Sequence, residues 1–112
     1  MKIFHNPRCS KSRQGLQILQ NSSQSFEIVD YLKNPPTVNE LKEIIAMLDF
    51  TPIQLVRKNE AIWKENFKGK TLSNAEIIKA MCTYPKLIER PILLKDGKAI
   101  LGRPPENFTS LL

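Results

Sequence analysis

The stretch HNPRCSKSRQGL places Cys9 between a His-Asn-Pro turn and a run with helical periodicity. At a helix start the backbone N–H groups lack partners and the helix dipole presents its positive end. Both favour a thiolate, and Arg8, Lys11 and Arg13 lie within a few residues. Such surroundings lower a cysteine pKa from about 8.5 into roughly the 3.5–7.5 range. The bland alternative is a small buried hydrophobe, inert because burial disfavours the thiolate. Pro7 and Arg8 make the preceding segment a loop, which favours the reactive reading. Three residues on, where a redox pair would keep its second cysteine, the chain has Ser12.

The same residues predict an anion site. A helix N-terminus after a loop binds anions readily. Cys9, Ser10, Lys11 and Ser12 offer N–H groups, hydroxyls and a cation around the sulfur. That cradle suits nucleophilic attack on a tetrahedral oxyanion such as phosphate or an analogue. Ser10 and Ser12 serve simple helix capping equally well, and the two roles are compatible. The chain has five arginines, Arg8, Arg13, Arg57, Arg90 and Arg103, against twelve lysines. Arginine gives oxyanions a planar, bidentate, permanently charged fork, which lysine cannot. Singly, each arginine reads as a surface charge; together with the cysteine they read as a convergent anion site. His5, the only histidine, is a candidate base or a residue that holds loop backbone, with the structural role placed first. Two cysteines and one histidine at these spacings give no recognisable zinc ligand set. Cys82 falls beside Met81 in a helical pattern and reads as a core residue.

The elements that must position these groups follow from periodicity. Residues 2–5 alternate as a short strand, with Ile3 and His5 facing one way and Lys2 and Phe4 the other. From Ser10 to about Asn21 the pattern is helical, with Ser12, Gly15, Leu16 and Leu19 on one face. SFEIVDYL, residues 25–32, alternates again as a second strand. Thr37 and Glu40 have capping-box spacing ahead of the amphipathic run Leu41, Ile44, Ile45 and Leu48. Residues 50–70 read as short helical pieces with loops. Ser73 and Glu76 begin a further helix to about residue 83, closed by Pro85. Asp96-Gly97 between two apolar runs signals a type I′ hairpin. A short helix from about Pro104 closes the chain.

A strand-helix-strand unit implies a right-handed parallel crossover. The hairpin adds two antiparallel strands. The expected architecture is α/β and thioredoxin-like: a four-stranded mixed sheet flanked by helices. A helical insert lies between the β-α-β unit and the C-terminal hairpin. Pro91 opens the third strand, where that layout commonly places a cis-proline facing the helix-start cysteine. Arg90 and Arg103 each precede a proline and flank the hairpin, so they are expected side by side at one sheet end.

Length and composition fit this. The 112 residues are expected to form one domain, 1–112. Hydrophobic residues at 41% and charged residues at 25% are ordinary globular values, which excludes disorder. No run reaches transmembrane length and the start has no apolar signal region, so a soluble cytoplasmic protein without membrane contact is expected. Two separated cysteines do not make a disulfide scaffold, which fits a reducing compartment. The net charge of +6 is spread over scattered lysines, with no aromatic-basic motif for nucleic acid.

HNPRCSKSR, YLKNPPT, LVRKN, ERPIL and GRPPE, in that order, resemble the segments of the ArsC family, including its glutaredoxin-coupled arsenate reductases and its YfgD-like branch. The resemblance covers nearly the whole chain. It implies that Cys9 is the catalytic nucleophile, that Arg57, Arg90 and Arg103 bind the oxyanion, and that His5 influences cysteine reactivity. Ser12 matches a serine that hydrogen-bonds the thiolate. The activity implied is reduction of arsenate to arsenite through a thiol-arsenate intermediate. Glutathione would be the co-substrate and glutaredoxin the partner, with no bound cofactor and no metal. Ser10-Lys11 follows the YfgD-like pattern; the best-characterised reductases have Gly-Thr there. A sister branch, the Spx-type regulators, binds RNA polymerase and usually carries a C-x-x-C switch, which Ser12 removes. A redox-responsive regulator or protein-binding module is therefore the alternative.

Overall fold

The computed structural model describes all 112 residues. The chain forms two compact units, residues 1–34 with 90–112, and residues 35–89.

The first unit holds the sheet. Its elements are β1 (Lys2–His5), α1 (Ser10–Asn21), β2 (Glu27–Asp30), β3 (Ile92–Lys95) and β4 (Lys98–Leu101). The expected short last helix follows as a 3₁₀ helix, Pro105–Leu111. The strand order is β2-β1-β3-β4. β1 and β2 run parallel, with Lys2 opposite Glu27 and His5 opposite Asp30. β3 is antiparallel to both β1 and β4, with Phe4 opposite Ile92 and Ile92 opposite Leu101. This is the mixed four-stranded sheet that the sequence predicts. The hairpin turn has φ 51° at Asp96 and 74° at Gly97, as a type I′ turn requires.

Two sequence expectations change. β1 shows no inside-outside alternation, because Ile3, Phe4 and His5 are all buried. An interior strand covered on both faces buries both sets of side chains. β2 is shorter than 25–32, because the backbone turns at Asp30. The Asp30 carbonyl accepts the Lys33 and Asn34 N–H groups, and its Oδ1 accepts from Leu32 N–H at 3.2 Å. Ile28, on this edge strand, is 50% exposed rather than packed.

The core of this unit is Ile3, Leu19, Leu93 and Phe108, with Leu16, Phe26 and Ile100 packed around it. A Cβ added at Gly15 would lie 2.7 Å from Phe108 Cε2 and 2.9 Å from Pro91 Cγ. A Cβ at Gly102 would meet the same two rings at 2.9 Å and 2.8 Å. Glycine at both positions lets the two rings sit directly on backbone. Lys95 Nζ ties the C-terminal segment to the loop after α1, donating to Leu111 O at 2.8 Å and Gln24 Oε1 at 3.0 Å.

The second unit is helical: α2 (Val38–Leu48), α3 (Ala61–Asn66) and α4 (Asn74–Thr83), with 3₁₀ turns at Pro52–Leu55 and Pro85–Leu87. Both expected capping boxes form. Thr37 Oγ1 accepts from Glu40 N–H at 3.1 Å, and Ser73 Oγ accepts from Glu76 N–H at 3.2 Å. α2 packs on α4, and their buried residues include Leu41, Ile44, Ile45, Ile77, Ile78 and Met81. Trp63 stacks on Phe67, which meets Tyr84 edge-on. No helix is long and apolar enough to cross a membrane.

Candidate active site

The parallel β1-α1-β2 unit dictates where Cys9 falls. The chain leaves β1 at His5, makes one tight turn, and enters α1 at Ser10. In that turn the Cys9 N–H donates to the Asn6 carbonyl at 3.0 Å, and the Arg8 N–H donates to Asn6 Oδ1 at 3.0 Å. Arg13 reaches back from the helix, its guanidinium donating to the Pro7 carbonyl at 3.0 Å. Cys9 is the N-cap of α1, with φ −97° and ψ 124°, and its side chain makes no capping hydrogen bond. The sulfur is half-buried and free.

The helix ladder begins with Arg13 N–H donating to the Cys9 carbonyl at 3.0 Å. The N–H groups of Ser10, Lys11 and Ser12 therefore have no backbone acceptor. They are the free N–H groups that the sequence offers to an anion, with one correction. The Cys9 N–H is not among them, because the turn uses it to hold the Asn6 carbonyl. No acidic residue stands in the first turn to compete for the cradle.

Ser12 is fully buried, and its Oγ has two partners. It accepts from Asn6 N–H at 2.9 Å and lies 2.6 Å from His5 Nδ1. Its hydrogen bonds thus run beneath the turn, and the bond to the Cys9 thiolate that the resemblance implies is not among them. His5 is 6% exposed, and burial pushes its pKa below 6.5. Asp30, opposite it on β2, and the Ser12 contact oppose that shift, while Arg13 adds to it. At neutral pH the ring is therefore uncharged, and Ser12 O–H can donate to Nδ1. A protonated ring would reverse that bond and leave the Ser12 O–H free to donate elsewhere.

Register brings two of the arginines to this end of the sheet. β1 ends at His5, and Phe4 pairs with Ile92 at the start of β3. Ile92 pairs in turn with Leu101 at the end of β4. Arg90 and Arg103 lie just beyond those two ends, on the side from which the Cys9 turn leaves β1. Arg103 Nη1 donates to the Arg90 carbonyl at 3.2 Å, and Arg90 is 8% exposed. Each precedes a proline through a cis peptide bond. Pro91 packs on α1 at Gly15, on the helix face that carries Ser12. Arg57 belongs to the helical unit. Its N–H donates to the Leu87 carbonyl at 2.7 Å, and Nη1 lies 3.3 Å from Glu60 Oε1.

Cys82 is on α4, half-buried, and its thiol pKa is pushed above 9.0 by burial and by the Glu40 carboxylate. It is a poor nucleophile at neutral pH. No group of three or more His, Cys, Asp and Glu side chains comes together as a metal site. The residue that sequence reasoning missed is Asn6, buried to 5% exposure and bonded to Arg8, Cys9 and Ser12. Its signal was present in the Asn-Pro pair, a strong turn former.

The chain is similar to known proteins along its whole length. A family model described as ArsC family matches residues 4–111. The arsenate reductase of Neisseria meningitidis serogroup A is 41% identical, across 100% of this chain and 97% of its own. The YfgD protein of Escherichia coli strain K12 is 40% identical, across 100% and 96%. The solved arsenate reductase of Vibrio cholerae superposes with a TM-score of 0.93 at 40% identity, covering 100% of this chain and 98% of that one. With its thioredoxin-like fold and its five motifs in order, the chain belongs to the ArsC family.

Proposed function

We propose that this protein is an arsenate reductase in which Cys9 is the nucleophile and glutathione and glutaredoxin supply the reducing thiols. The observation that carries the reading is the free Cys9 thiol at the N-cap of α1, beside three N–H groups without acceptors. Helix N–H groups there stabilise both a thiolate and an incoming oxyanion. Relatives that match across the full chain and bear the name arsenate reductase support the substrate.

The Cys9 thiolate attacks arsenic, forming a sulfur–arsenic bond as an oxygen leaves as water. Glutathione thiol then displaces a second oxygen, again as water, giving Cys9–S–As(V)–S–glutathione. The glutaredoxin thiolate attacks the glutathione sulfur. The arsenic–glutathione bond breaks and its electron pair stays on arsenic, reducing As(V) to As(III). Glutaredoxin leaves as its mixed disulfide with glutathione. Water releases arsenite and restores Cys9. Arg90 and Arg103 would offset the oxyanion charge electrostatically. Arg57 remains the third oxyanion candidate. Cys82 takes no step, and a reducing compartment such as the cytoplasm supplies both partners.

The test is a coupled assay with arsenate, glutathione and glutaredoxin. Turnover should vanish in Cys9→Ser and persist in Cys82→Ser. Equal turnover in Cys9→Ser and the parent protein would overturn the reading. No turnover, together with stoichiometric capture of RNA polymerase, would favour the regulator instead.

A further inference from the structure

We propose that Asn6 is a positioning residue for Cys9, whose side-chain oxygen closes the turn that holds Cys9 at the N-cap of α1. This rests on the reading of Cys9 as the nucleophile. Three groups of Asn6 converge on the site. Its carbonyl accepts the Cys9 N–H at 3.0 Å, its Oδ1 accepts the Arg8 N–H at 3.0 Å, and its N–H donates to Ser12 Oγ at 2.9 Å. The residue is 5% exposed, so its side chain acts within the fold rather than in solvent.

Only the Oδ1 contact depends on the side chain; the other two use backbone. Its role follows from the geometry of the turn. Between Pro7 and Cys9 the chain is held from outside by Arg13 alone, its guanidinium on the Pro7 carbonyl and its N–H on the Cys9 carbonyl. From inside it has Asn6 Oδ1 on Arg8 N–H. Removing this side-chain anchor leaves Arg8 N–H without its acceptor and the turn closed only by the backbone bond from Cys9 N–H to the Asn6 carbonyl, which loosens it. Cys9 is the cap residue itself, so a loosened turn shifts the residue that presents the thiol at the start of α1. The amide also suits the electrostatics. An aspartate would make the same turn but set a negative charge beside the thiolate and its anionic substrate.

A turn-forming asparagine with no bearing on reactivity would change stability alone. The two roles separate when thiol reactivity and stability are measured on the same folded proteins. The full chain is used with Cys82→Ser, so that iodoacetamide labels one thiol. Alkylation is followed at pH 7 by mass spectrometry and thermal unfolding by circular dichroism. Asn6→Ala should remain folded at the assay temperature, yet alkylate about tenfold more slowly, because alkylation follows how the surroundings of the sulfur favour and expose it. Asn6→Ser restores a short side-chain acceptor and should return the rate to within about threefold of the parent. Parent-like alkylation in Asn6→Ala overturns the proposal. So does an equal loss in Asn6→Ala and Asn6→Ser, or slow labelling explained by unfolding. Arsenate turnover is a separate readout: a parent protein without it overturns the proposed function and leaves the alkylation result standing.

Discussion

His5 Nδ1 lies 2.6 Å from Ser12 Oγ, which also accepts the Asn6 N–H at 2.9 Å. The end of β1, the turn and the helix are thus tied at one buried hydroxyl. Ser12→Ala would strand a buried N–H and remove the partner of a buried ring nitrogen. The expected cost is about 1–3 kcal/mol. Urea denaturation should show a lower midpoint with an unchanged slope. An unchanged midpoint would mean that this junction does not hold the turn.

His5 also sets a pH dependence. Burial holds its pKa below 6.5, so between its folded value and 6.5 the unfolded chain binds a proton that the folded chain refuses. The His5 contribution to stability is intact above 6.5, shrinks as pH falls through that window, and levels off below the folded value. His5→Asn should remove that part of the pH slope. As His5 is the only histidine, its ring resonances give the titration directly by NMR.

Asp30 opposes the shift from the neighbouring strand. Asp30→Asn keeps an acceptor for Leu32 N–H but loses the charge. The His5 titration should move further down in this variant. Movement upward would contradict the assigned electrostatics.

Gly15→Ala places a methyl group 2.9 Å from the rigid Pro91 ring and 2.7 Å from the Phe108 ring. Alanine favours helix, but overpacking of this kind costs about 1–3 kcal/mol and outweighs that gain. A rise in the urea midpoint would show that the rings give way freely.

Cys82 should alkylate slowly at pH 7 in a Cys9→Ser background and speed up above pH 9. Glu40→Gln keeps the capping geometry of α2 while removing a carboxylate that raises the Cys82 pKa. Cys82 should therefore label faster in Glu40→Gln than in the same background with Glu40 intact. Identical rates would leave burial as the sole cause.

Much of the site was legible because it is local. Cys9, Ser10, Lys11 and Ser12 are consecutive, and their placement at a helix start follows from the turn residues before them. The hairpin was legible for the same reason, since Asp96-Gly97 demands φ > 0 at both positions. Less visible was the partner of Ser12. The resemblance assigns it to Cys9, whereas the path from β1 into α1 brings it to His5.

The sequence by itself determined that a lone thiol stands at a helix N-terminus among cations, because caps, turns and dipoles are short-range effects. Tertiary structure decided which groups share its end of the sheet. The register of β1, β3 and β4 sets Arg90 and Arg103 beyond the strand ends next to the Cys9 turn. It also decided that His5 is buried and uncharged at neutral pH, because desolvation depends on what covers a side chain rather than on its neighbours in the chain.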